Sequence, residues 1–161
     1  FDRLRAYYED QNVAVDISFA VMENKTNSPL DFNKRVQAVS EFLKLKAAPA
    51  LAASNKRVVN ILSKNGNGDA TFDVMLLTEA AEVTLAESLN EVRRVNLAAI
   101  NQGNYHDALQ QLAHLAGPLE QFFSDIMVMT DDESVKNNRL ALLAEVQLEL
   151  GRVADISLLA G

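Results

Sequence analysis

The residues of this 161-residue chain best suited to chemistry lie in one short run, Asn55-Lys56-Arg57-Val58-Val59-Asn60-Ile61-Leu62-Ser63-Lys64. At the helical advance of about 100° per residue, Lys56, Arg57, Asn60 and Lys64 fall within an arc of about 100°, while Leu51, Val58, Val59 and Leu62 occupy the opposite side. That arrangement projects three cations and one amide from a rigid rod. Ammonium and guanidinium groups hold phosphates, and an amide or guanidinium can also pair with the base edges of unpaired RNA. The pattern also describes an ordinary solvated helix face, and the run by itself leaves both readings open.

Two further features stand out. Arg139 falls within the apolar arc that Val135, Leu142, Val146 and Leu150 form on the last helix. A cation there must pair with an acid, reach to the edge of the core, or point into a cleft. Asp125, Asp131 and Asp132 are near enough in sequence to be its partner, and Asp125 or Asp132 is the expected one, with Arg139 at least half buried. Phe122-Phe123 and the apolar run Ile126-Met127-Val128-Met129 are either core or, if exposed, a surface on which bases can stack.

Other chemistries lack their residues. With no cysteine there is no disulfide, no thiolate ligand and no thiol nucleophile, which fits a reducing compartment. Gly66 and Gly68 follow a helix and no Lys-Ser or Lys-Thr pair follows them, so no phosphate-cradling loop is expected. His106 and His114 stand apart without carboxylates spaced for a metal, and Asp131-Asp132-Glu133 lacks the spaced ligands of a calcium loop. The apolar stretches are interrupted by charge too often to cross a membrane. The sequence predicts no catalytic residue and no metal site.

Net charge is −7, unusual for a nucleic-acid binder, yet it is unevenly distributed. From Lys34 to Lys64, seven cations (Lys34, Arg35, Lys44, Lys46, Lys56, Arg57 and Lys64) meet one acid, Glu41, a local balance of +6 that leaves −13 for the remainder. Such a split can attract a polyanion to one surface and repel it elsewhere.

The elements that must position these groups are helices. Pro29, Pro49 and Pro118 each stand where a helix can begin, because a first turn has no use for the missing N–H. A helical pair is expected over Asp2–Gln11 and Val13–Asn24. Ser28-Pro29-Leu30-Asp31 reads as a cap opening a helix to about Lys46, with Phe32, Val36, Val39 and Leu43 as its stripe. A second helix spans Ala47 to Lys64, stopped by Asn65-Gly66-Asn67-Gly68-Asp69, the loop expected to tolerate insertion. A long helix runs from Thr78 to Gln102, and a short one from Tyr105 ends at Gly117-Pro118. Leu119–Asp125 makes one or two turns. The last helix follows Thr130-Asp131-Asp132-Glu133, whose acids complement its positive end. The whole, residues 1–161, is expected to be one all-α domain. It lacks an initiator Met and opens within a helical pattern, as expected of a fragment cut from a longer protein.

Several strings carry a family resemblance: Asn55 to Leu62, Asp107-Ala108-Leu109, Phe122 to Met129 followed by Asp131-Asp132-Glu133, and Asn138-Arg139-Leu140-Ala141-Leu142-Leu143. In order and over nearly the whole chain, they resemble the C-terminal domain of bacterial glycyl-tRNA synthetase beta subunits. Phe1 to Tyr8 resembles the helix leading into that domain, and Arg152 to Leu159 its natural C-terminus. Gln147-Leu148-Glu149-Leu150-Gly151 departs from the expected pattern.

The resemblance implies a helical bundle of the anticodon-binding type shared with arginyl-tRNA synthetases. It implies a cytoplasmic parent enzyme in which the alpha subunit, with ATP and Mg, activates glycine. This chain would then dock the anticodon arm of glycine tRNA without a cofactor of its own, and without engaging DNA or a membrane. Lys56, Arg57 and Lys64 are the expected phosphate contacts. Asn55, Asn60 and Arg139 are candidates for base edges, and Phe123, Met127 and Met129 for stacking. The alternative is a protein-docking module acting through Ile126–Met129.

Overall fold

The computed structural model describes residues 29–69, 71–154 and 156, and among them every regular element is a helix. Six α-helices follow in order: α1 (Pro29–Phe42), α2 (Ala48–Asn65), α3 (Ala80–Asn101), α4 (Tyr105–Leu112), α5 (Ala116–Asp125) and α6 (Glu133–Leu150). Single 3₁₀ turns span Val74–Leu76 and Ala113–Leu115. The all-α expectation holds. The helical pair expected before Asn24 and the Ser28 cap lie outside the described residues.

All three prolines sit in first turns, of α1, α2 and α5. α1 stops at Phe42 rather than Lys46, and Pro49 keeps it from running on into α2. A continuous helix would need an N–H at residue 49 to reach Leu45, and proline has none. The chain instead turns, with Leu45 N–H donating to the Phe42 carbonyl and Ala48 N–H to that of Leu45. Phe32, Val36 and Val39 are buried as expected, but Phe42 completes the stripe and Leu43 is exposed. Gly117-Pro118 opens α5 instead of closing α4, because both residues fit a first turn.

The helices share one core. α1 packs on α4, α4 on α3, and α3 on α5 and α6, while α2 lies across α5 and α6. Phe32, Phe42, Leu51, Leu85, Leu89, Leu109, Leu119, Phe122, Leu140 and Leu142 are fully buried within it. In α6 six consecutive residues, Asn138 to Leu143, are buried, so no single apolar stripe describes it. Asp132 caps it, its carboxylate accepting from Ser134 N–H (3.0 Å) and Val135 N–H (3.2 Å). The acid run thus does the capping expected of it.

Buried polar groups then fasten the periphery. The loop after α2 is strapped to α6 and is not a free insertion point. Asn138 donates to the Asp73 carbonyl (3.1 Å) and accepts from the Asp73 N–H (2.6 Å), and Asp69 N–H reaches the Asn137 carbonyl. Gly68, at φ +68°, lies so close to α6 that a Cβ would sit 2.2 Å from the Asn137 oxygen. At the other end, Arg35 donates to the carbonyls of Arg152 and Val153, both at 2.8 Å, and fixes the turn after α6.

Candidate nucleic-acid interface

The polar face of α2 forms as the periodicity predicts, with Lys56, Arg57, Asn60 and Lys64 exposed and Leu51, Val58 and Leu62 buried. Asn55 departs from this face. It belongs to the buried stripe with Leu51, Ala52, Val58 and Leu62 and is 2% exposed, so its amide is not offered to a base.

Arg57 organises the neighbouring surface. Its guanidinium carbon lies 4.4 Å from the centroid of the Phe123 ring on α5, a cation–π contact worth about 0.5–1 kcal/mol at an exposed site. Phe123 is half-buried and meets the fully buried Phe122 edge to face, centroids 5.7 Å apart at 76°. The inner ring anchors the outer one, which in turn orients the guanidinium.

After α5 the chain becomes extended at Ile126 (φ −113°, ψ 130°). In extended backbone successive side chains point to opposite sides. Ile126 and Val128 accordingly enter the core, while Met127 and Met129 stand out at 73% and 46% exposure. Arg57, Ile61 and the segment Phe123–Met129 enclose an open depression of about 500 Å³ between α2 and this segment. Three expected binding residues, Phe123, Met127 and Met129, therefore meet Arg57 at one place. Ile61, Ser124 and Asp125 join them. Ile61 follows Arg57 by four residues, the helical spacing that could have revealed it.

Arg139 is buried, at 8% exposure, as expected, but its partner is neither Asp125 nor Asp132. Its Nη2 donates to Glu82 on α3 at 3.1 Å, and its Nη1 to the Met127 carbonyl at 2.6 Å. Asp132 is committed to the α6 cap, and Asp125 accepts from Gln121 Nε2. With its guanidinium turned inward, Arg139 does not reach a base edge. It holds the methionine segment from beneath.

The seven cations between Lys34 and Lys64 do not all lie on one element. They are divided between α1, α2 and the connection joining them, and α1 packs on α4 whereas α2 packs on α5 and α6. Arg35 is bound to Asp31 at 2.8 Å and stacks on Tyr105, and Lys44 pairs with Glu41. Tyr105 also donates its hydroxyl to Asp31, and burial, followed by that bond, raises its pKa above the ordinary 10.0.

Among the described residues no group of three or more His, Cys, Asp or Glu side chains could hold a metal, and no helix is long and apolar enough to cross a membrane. The arrangement offers cations, a stacked arginine and soft, adaptable thioethers on a rigid support.

The chain is similar to the glycine–tRNA ligase beta subunits of Shewanella sediminis (strain HAW-EB3) and Shewanella putrefaciens (strain CN-32 / ATCC BAA-453), 49% identical over 158 residues in each case. It is 48% identical over 161 residues to that of Marinobacter nauticus (strain ATCC 700491 / DSM 11845 / VT8). Each alignment covers 98% of this chain and 23% of the relative, so the chain spans about a quarter of the length of the curated relatives it matches. Residues 51–156, from the basic helix α2 through α6, match the DALR anticodon binding domain, and the chain belongs to that family.

Proposed function

We propose that this chain binds the anticodon arm of glycine tRNA as a module of a glycine–tRNA ligase beta subunit, placing that tRNA for ATP-dependent aminoacylation by the alpha subunit. The observation that carries this reading is the depression where Arg57, stacked on Phe123, meets the outward-turned Met127 and Met129. Lys56 and Lys64 line the same helix face and supply phosphate contacts, which add affinity without sequence information. Arg57, expected on a phosphate, is held at the depression by Phe123 and there, with Asn60, supplies donors for base edges, while Phe123 and the methionines offer a surface for unstacked bases. In this role the domain works in the cytoplasm and needs no cofactor of its own, ATP and Mg serving the alpha subunit.

Protein docking through Ile126–Met129 is less favoured. Half of that segment, Ile126 and Val128, is spent on the core, and the other half faces a cation.

The test is a titration of the chain with glycine tRNA at several salt concentrations. Releasing counterions from phosphates makes affinity fall steeply with salt. Replacing both Lys56 and Lys64 by alanine should lower the slope of log K against log salt by about 1.5, two contacts at roughly 0.7–0.9 each. An unchanged slope in a folded double variant moves the RNA surface elsewhere, and a wild-type slope near zero removes the RNA reading.

A further inference from the structure

The Arg57–Phe123 stack borders a second depression. It holds about 350 Å³ and is lined by Ala53, Ser54, Arg57, Glu120, Phe123 and Ser124. Along α2 the sequence of lining residues is 53, 54 and 57, then 57 and 61; along α5 it is 120, 123 and 124, then 123 to 125. The two hollows are thus consecutive stations of one groove between α2 and α5, and Arg57 with Phe123 is the partition between them. The step from one to the next is four residues of α2, about 6 Å at 1.5 Å per residue. A strand whose bases are unstacked can place neighbouring nucleotides in both.

The chemistry of the second hollow differs from that of the first. It has no methionine, and it presents Ser54, Ser124 and the exposed carboxylate of Glu120. Among the described residues the Glu120 side chain has no ion-pair or hydrogen-bond partner. A carboxylate repels phosphates, and the base-specific contact open to it beside a nucleic-acid strand is acceptance from a base N–H, an exocyclic amino group above all.

We propose that the two hollows take successive unpaired bases of one loop, and that Glu120 selects at the second hollow a base bearing an exocyclic amino group. This rests on the RNA reading given above. Uracil carries a carbonyl where cytosine carries its amino group, and would set oxygen against the carboxylate.

The test uses the chain with a synthetic anticodon stem-loop of glycine tRNA, read by fluorescence anisotropy, with each loop nucleotide made abasic in turn. Wild type should lose roughly tenfold in affinity at two adjacent positions, in the range of a stacked base. Met127→Ala combined with Met129→Ala should blunt the loss at one of these positions. Glu120→Ala should blunt it at the other, where uridine should cost wild type as much as the abasic site. Losses that both variants blunt at the same position, or sensitive positions that are not neighbours, overturn the two-base proposal. So does a Glu120→Ala variant that binds every loop more tightly, since Glu120 would then merely repel phosphate. If wild type binds the stem-loop but ignores every abasic site, the proposal fails while RNA binding stands. If wild type does not bind the stem-loop, both fail.

Discussion

Arg139→Ala removes the positive half of a buried pair and the clamp on the methionine segment together. The pair is well enclosed, with side-chain exposures of 9% for Arg139 and 0% for Glu82. Removing one partner of such a pair leaves an uncompensated charge and costs about 3–5 kcal/mol. Domains of about this size lose roughly 2–4 °C of Tm per kcal/mol, so the variant should melt on the order of 10 °C below wild type. With total stabilities of about 5–15 kcal/mol, it should still fold at low temperature. The second effect concerns the bond from Nη1 to the Met127 carbonyl, a charge-assisted contact at 2.6 Å. Without it, Met127 and Met129 lose the support that aims them outward, and RNA affinity should fall even where the domain is fully folded. Glu82→Leu combined with Arg139→Met separates the two effects. Apolar replacement of both partners often restores stability, but nothing then holds the Met127 carbonyl. Urea unfolding and tRNA titration of the single and double variants decide the matter. If Arg139→Ala unfolds within about 0.5 kcal/mol of wild type, as a surface change would, the buried-pair reasoning is wrong. If the double variant recovers stability and full RNA affinity together, the clamp has no positioning role.

Other expected outcomes follow from single contacts. Gly68→Ala should destabilise by about 1–3 kcal/mol in urea unfolding, because φ is +68° and the new Cβ would meet the Asn137 oxygen; a neutral result contradicts the close approach. Asn138→Ala strips both bonds from the Asp73 backbone, so amide exchange at Asp73 should quicken and stability fall by about 1–3 kcal/mol. Tyr105, its pKa raised by burial and by the bond to Asp31, should ionise above the ordinary 10.0. Since the folded value exceeds the unfolded one, its contribution is fully present below pH 10 and is lost as pH rises through the folded value. Phenolate absorbance of wild type minus Tyr105→Phe should show this late step, and a difference centred at or below 10.0 refutes it.

Local periodicity reached the polar face of α2, the proline-led first turns and the Asp132 cap, all consequences of residues within one turn of each other. The errors lie where partners are distant in sequence. Arg139 chose Glu82, 57 residues away, over the nearby aspartates, and no periodicity of α6 contains that choice. Nor could the loop after α2 reveal that Asn138, 65 residues beyond Asp73, would bind its backbone. Asn55 illustrates a different limit. A polar residue adjoining Lys56 and Arg57 looks like part of their face, yet it lies in register with Leu51, Val58 and Leu62 and is buried with them. The family strings were legible as strings, but they mix roles. In Asp107-Ala108-Leu109, Ala108 and Leu109 are fully buried, and Asp107 accepts from Asn104 at the start of α4. That string builds the bundle, whereas the proposed binding surface is carried by Arg57, Phe123 and the two methionines.

The most direct measurement of the central claim compares glycine tRNA with the same tRNA carrying an exchanged anticodon, each titrated with wild type and with Arg57→Ala at one fixed salt concentration. Wild type should prefer the glycine anticodon. Arg57→Ala should lose about 1–3 kcal/mol of binding to it and much of that preference, while changing stability by no more than about 0.5 kcal/mol. Equal affinity of wild type for both tRNAs, or a folded Arg57→Ala variant that discriminates as well as wild type, would contradict a base-reading groove at Arg57 and Phe123.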